Sequence, residues 1–226
     1  MAQLPDFSTT RNLVIDASSH PIFVGLIENG EWKWSQTSEE PALECLFMIV
    51  EDCMKSSNCE LSDIDQFIYD RGPGSILGIR SVISALNAWQ ILSDHSPNIV
   101  SFQSLDLVAH SLAKSNQNRF AILSDWKKGY WNIWHTESSV EKGIIDTIDV
   151  EGIKELTESI DQFYYLPQKK VWANLPIEVE TVSLNPLDLI EHIQKTNLLN
   201  IESTATAYMP EVPNYAKWDT KRHGSD

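Results

Sequence analysis

Apolar and polar residues follow two different periods along this chain, and the places where one gives way to the other mark its elements. Leu13-Val14-Ile15-Asp16 is an apolar run closed by an acid. It is followed by the apolar stretch Ile22 to Ile27, a turn at Asn29-Gly30, and Trp32 to Gln36, where Trp32 and Trp34 alternate with polar residues. Runs of this length bounded by turn residues predict strands, and Asn-Gly between two of them predicts a tight hairpin. From Pro41 to Lys55 the period changes. Leu43, Leu46, Phe47, Val50 and Met54 recur at helical spacing, and Glu39 and Glu40 precede them where they suit the positive end of a helix dipole. Gln66 to Tyr69 predicts another strand, Ser81 to Leu92 a second helix, and Ile99 to Phe102 a further strand.

A second copy of this order begins at Arg119. Phe120-Ala121-Ile122-Leu123-Ser124-Asp125 again closes an apolar run with an acid, a turn runs through Lys127-Lys128-Gly129, and Tyr130 to Trp134 returns. Ile144 to Ile148, a helix from Val150 to Glu158, Phe163 to Leu166 and a late helix from Leu187 to Lys195 complete it. Leu105 to Lys114 bridges the copies. The order β-β-β-α-β-α-β is that of a ribonuclease-H-like half. Its repetition predicts an α/β protein of two such lobes, residues 1–103 and 104–226, resembling a degenerate member of the actin, sugar-kinase and heat-shock-ATPase superfamily.

Between the predicted strand ending at Tyr69 and the second helix lies Gly72-Pro73-Gly74-Ser75-Ile76-Leu77-Gly78-Ile79-Arg80. Glycines gather at such a junction when the backbone needs positive φ or close approach by another group. A helix start there also offers unpaired N–H donors to an anion. The two standard phosphate loops are not matched: Gly78 is followed by Ile79-Arg80 rather than Lys-Ser/Thr, and Leu77 stands where a dinucleotide fingerprint needs glycine. An anion cradle and a tightly packed turn both remain open on spacing alone.

These nine residues resemble the Gly-Pro-Gly-Ser-Phe-Thr-Gly-Leu-Arg signature of the TsaB (YeaZ) family, the non-catalytic subunit of the bacterial machinery that makes threonylcarbamoyladenosine in tRNA. Leu13 to Ser19, Ser101-Phe102-Gln103-Ser104-Leu105, Ser124 to Tyr130 and Pro213-Asn214-Tyr215-Ala216-Lys217 resemble further family segments in the same order. Ile76 and Leu77 depart from the family's Phe and Thr, and Gly143 to Leu199 carries little that matches.

The resemblance implies a scaffold that binds the catalytic TsaD-type subunit through its first two helices. It places Leu46, Met48, Ile49, Cys53, Val82, Leu86 and Trp89 at that interface, because both helices carry more apolar surface than one sheet covers. The same face would make a homodimer when the partner is missing. An ATPase subunit of TsaE type would join the complex, and tRNA would be met only indirectly. No cofactor is required by the chain itself, although ATP or ADP with Mg at a complex interface fits the superfamily. For such a nucleotide the candidate residues are Asp16, Gly72, Gly74, Ser75, Gly78 and Asp125. The competing reading is that each Asp caps a turn through its own backbone. An independent ATP-binding phosphotransferase or ATPase is the alternative function.

Composition narrows the classes further. With 17 Lys+Arg against 32 Asp+Glu among 226 residues, the formal charge is -15, which repels phosphate backbones and favours a basic protein partner. The acidic balance also makes Trp32, Trp34, Trp131 and Trp134 packing residues rather than a base-stacking platform. Cys45, Cys53 and Cys59 form no Cys-x-x-Cys pair, and the six histidines lack the spacing of a metal helix. No apolar run is long enough for a bilayer span, and Met1 to Arg11 lacks the pattern of a secretory leader, so a cytoplasmic location without membrane contact is expected.

Overall fold

A computed structural model of the protein describes residues 7–114, 118–136, 143–168, 174–191 and 198–209. Strands β1 (Arg11–Asp16), β2 (Ile22–Glu28) and β3 (Glu31–Ser38) form the expected antiparallel meander. Its hairpin turn has Asn29 and Gly30 at φ 54° and 77°, the left-handed pair that a two-residue turn between twisted strands requires. Helix α1 (Ala42–Ser57) leads to β4 (Gln66–Asp70), and helix α2 (Ile76–Leu92) to β5 (Asn98–Phe102). β4 lies parallel to β1 and β5 parallel to β4, giving the spatial order β3-β2-β1-β4-β5.

After α3 (Ser104–Ala113) the plan repeats. β6 (Phe120–Lys127), β7 (Tyr130–His135) and β8 (Ile144–Asp149) form a second meander. They are followed by α4 (Val150–Leu156), β9 (Gln162–Leu166) and the short β10 (Glu180–Thr181). The second sheet runs β8-β7-β6-β9-β10, with β9 parallel to β6 and β10 parallel to β9. Both halves therefore follow one ribonuclease-H-like order, in the duplicated α/β arrangement expected from the sequence.

The inner strands of the first sheet, β1, β2, β4 and β5, are buried on both faces, which is why β1 reads as a continuous apolar run rather than an alternating one. Leu13 and Ile15 face the α1–α2 side with Phe67 and Tyr69, while Val14 faces the other side with Ile68, Val100 and Phe102. Helix α3 bridges the halves as its sequence predicts: Leu107 packs into the first sheet's core, and Leu105 and Val108 pack against Phe120, Ile122 and Trp134 of the second. Trp32, Trp34, Trp131 and Trp134 serve packing. Trp131 and Trp134 are fully buried, and Phe23 meets Trp32 edge-on at 5.4 Å.

Three features differ from expectation. Helix α2 begins at Ile76, five residues before Ser81, because the Ser75 side chain caps it by accepting from the Gly78 amide. The chain end does not stay with the later half: β11 (Asn200–Glu202) pairs antiparallel with β5 and extends the first sheet. The late helix is described only as a 3-10 turn at Pro186–Asp188 and the few residues after it. Its remainder and the Pro213 to Lys217 segment lie outside the described residues.

Candidate functional site

The glycine loop is folded against the turn that follows β1. The amide of Ser75 donates to the carbonyl of Ser18 at 2.8 Å. A Cβ on Gly74 would stand 2.3 Å from the Ser18 carbonyl oxygen, and one on Gly78 would stand 1.9 Å from that of Ala17. Real side chains cannot approach so closely, so these glycines are the condition for the two backbones to touch. Gly72 has the other reason for glycine, a φ of +97°.

Two carboxylates lie beneath this contact. Asp16 ends β1 and Asp70 ends β4, and the parallel register pairs the residues just before them, Ile15 with Tyr69. Both acids are buried. Oδ1 of Asp16 accepts from the amides of Ser18 at 2.9 Å and Ser19 at 3.1 Å. Oδ1 of Asp70 accepts from the Gly72 amide at 2.8 Å, and its Oδ2 from the Ser18 hydroxyl at 2.5 Å. Burial raises the Asp16 pKa, opposed by donors on Ser19 and Ser18. Burial and then the Asp16 charge push Asp70 up to about 8 against Ser18, Gly72 and Ser104. Asp70 escaped the sequence reading, which ended that strand at Tyr69. The available signal was the parallel with β1, an apolar run closed by an acid just before a small-residue loop.

Asp125 does not end its strand as expected, since β6 runs on to Lys127 past an irregularity between Asp125 and Lys127; its side chain is buried in the second sheet. It accepts from the Tyr165 hydroxyl on β9, whose pKa burial raises first and the Asp125 carboxylate raises further. The Asn132 amide binds the Asp125 carbonyl at 3.1 Å.

A cleft of about 230 Å³ opens beside the glycine loop, lined among others by Ser19, Pro41, Leu77, Gly78 and Gln168, the last arriving from beyond β9. These surroundings do not fit a nucleotide phosphate. The amides of Gly72, Ser75 and Gly78 already donate to Asp70, Ser18 and Ser75. The space next to Gly74 and Gly78 is filled by the chain's own carbonyls, and two buried acids lie behind them. The turn-capping reading of Asp16 therefore describes its contacts, and the nucleotide role assigned to Asp16, Gly72, Gly74, Ser75 and Gly78 does not.

The predicted interface residues also need correction. Leu46, Ile49, Cys53, Val82 and Leu86 belong to the core under the first sheet, and Trp89 is half-buried. Of the seven, only Met48 is exposed. On α1 the sheet-facing stripe is Ala42, Cys45, Leu46, Ile49, Val50, Cys53 and Met54, an i, i+3, i+4, i+7 pattern of mostly compact residues. The bulkier Leu43 and Phe47, which share the helical spacing of Leu46 and Val50, are 60% and 57% exposed, beside Met48 at 58%. Phe47 meets Trp89 of α2 edge-on at 6.0 Å, so the exposed apolar face runs across both helices. Ile91 and Leu92 at the end of α2 are exposed as well.

No family model and no curated protein matches this sequence. Solved structures do. One is an uncharacterized protein with similarity to peptidase YeaZ from Pseudomonas aeruginosa, with a TM-score of 0.57 and 16% identity over 81% of this chain and 90% of that one. Another is YeaZ from Pseudomonas aeruginosa itself, at 0.54 and 15% over 76% and 87%. At this identity the likeness is one of fold. This chain has the YeaZ-like form of the duplicated ribonuclease-H-like architecture.

Proposed function

We propose that this chain is a non-catalytic scaffold subunit that binds a catalytic TsaD-type subunit in the formation of threonylcarbamoyladenosine in tRNA. The observation that carries this reading is the exposed apolar face of Leu43, Phe47 and Met48 on α1, joined through Phe47 to Trp89 on α2. Contiguous exposed apolar surface of this kind is costly in water and marks a surface made to be covered. The YeaZ-like fold and the glycine-loop signature support the same role. So does the loop's use of its glycines and amides within its own chain, which suits an organiser better than a phosphotransferase. The net charge of -15 leaves tRNA to the partner.

Co-expression with the same organism's TsaD-type subunit, followed by size-exclusion chromatography with light scattering, tests the proposal. A stable one-to-one complex that is lost in Phe47→Glu is expected. Separate elution of the two wild-type chains at low and moderate salt overturns it.

A further inference from the structure

Two carboxylates buried side by side must have their charge compensated, since an unpaired buried ion is strongly disfavoured and two together more so. Asp16 and Asp70 occupy that position, each 1% exposed. Among the described residues, the charged and polar groups around them supply hydrogen bonds but no cation. From the turn after β1 come the Ser18 amide and hydroxyl and the Ser19 amide. The glycine loop contributes the Gly72 amide. From the start of α3, the fully buried Ser104 hydroxyl faces Asp70 without a hydrogen bond of standard geometry. Arg71, next in sequence, turns its guanidinium to Glu202 at 3.1 Å, and His20 pairs with Glu39 at 2.6 Å. One oxygen is left over: Oδ2 of Asp16 is buried and accepts no hydrogen bond of standard geometry among the described residues, although the buried Ser19 hydroxyl lies near its carboxyl. A carboxylate oxygen without a donor is a natural seat for a proton.

Ser18 makes the pair more than a local curiosity. Its amide binds Asp16 and its hydroxyl binds Asp70. Its carbonyl accepts from Ser75, the residue that caps α2, and lies against Gly74. The charge state of the acids is thereby wired to the contact between the β1 turn, the glycine loop and the first turn of α2.

We propose that Asp16 and Asp70 hold one proton between them, and that this proton is the latch keeping the β1 turn closed on the glycine loop. When it leaves, two buried like charges push β1 and β4 apart at their ends, and the contact through Ser18 loosens. In the unfolded chain each acid titrates near the ordinary value of about 4. In the folded chain the last proton leaves at about 8, a value that belongs to the pair and not to either acid alone. Between those values the folded state binds more protons than the unfolded one. The stabilisation is complete below about 4 and is lost as pH rises toward about 8.

The test compares the full chain with Asp70→Asn, which is neutral at every pH, by thermal melting and amide exchange from pH 6 to pH 9.5. The wild-type midpoint should fall with pH relative to that of Asp70→Asn. Divided by the Asp70→Asn rates at the same pH, wild-type exchange across residues 72–78 should accelerate by up to about tenfold per pH unit, as release of one proton requires. Parallel profiles in the two proteins overturn the proposal. Should Asp70→Asn not fold, infrared spectroscopy of the wild type decides. A protonated carboxyl band at pH 7 that disappears by pH 9.5 supports the shared proton, and its absence at pH 7 overturns it.

Discussion

Gly78 and Ala17 are in backbone contact: a Cβ on the glycine would lie 1.9 Å from the alanine's carbonyl oxygen. This one approach sets the start of α2 on the turn after β1. It explains why a glycine is kept inside a helix, where it ordinarily costs about 1 kcal/mol relative to alanine.

Gly78→Ala should therefore destabilise the protein despite the better helix propensity. The obstacle is backbone rather than a mobile side-chain end, so relief requires a shift of the turn, at a cost of about 1–3 kcal/mol or more. Chemical denaturation should show the midpoint lowered with the slope unchanged. A Gly78→Ala protein as stable as wild type would show that the turn yields freely.

The two faces of α1 should separate cleanly under mutation. Leu46 is fully buried in the core under the first sheet, so Leu46→Ala should cost about 2–5 kcal/mol. Phe47→Glu and Met48→Glu, on the exposed face, should leave the melting temperature within a few degrees of wild type while abolishing capture of the TsaD-type subunit. Melting curves and co-purification read the two effects independently.

Charge should shape the same interface. The outer surface of α1 carries exposed Glu44, Glu51 and Asp52 around its apolar residues, and only Lys55, 2.5 Å from Glu51, answers them from within the helix. A partner face bearing Lys or Arg is expected to associate faster at low salt. Glu44→Lys together with Asp52→Lys should slow association and flatten its salt dependence, measured by stopped flow or surface resonance.

The returning segment at 198–209 should behave as a strap. The Tyr69 hydroxyl donates to the Thr206 carbonyl at 2.8 Å and accepts from its amide at 2.7 Å. The Asn87 side-chain oxygen accepts from the Ala205 amide at 2.9 Å, and the Tyr208 hydroxyl reaches the Ile145 carbonyl of the second sheet at 2.7 Å. Tyr69→Phe leaves the Thr206 amide and carbonyl without that partner, at about 1–3 kcal/mol. Limited proteolysis should then cut within 198–209 sooner than in wild type, while Tyr208→Phe should loosen only the tie to β8.

The sequence by itself determined the element order, its duplication, the hairpin at Asn29-Gly30 and the bridging role of α3. These follow from local chemistry: the period of apolar residues, the left-handed tolerance of Asn and Gly, and the acid that closes β1. Only the tertiary structure decided which apolar face of α1 meets the sheet. Leu43 and Phe47 and the compact stripe through Cys45, Ile49 and Cys53 share one helical period, and a period does not say which stripe the sheet will take. The same holds for the loop. Its glycines read equally as an anion cradle or a packed turn until the carbonyls of Ala17 and Ser18 are seen filling the space. Asp16 and Asp70 are 54 residues apart in sequence and become neighbours only because β1 and β4 pair in parallel, a long-range register that no local pattern encodes.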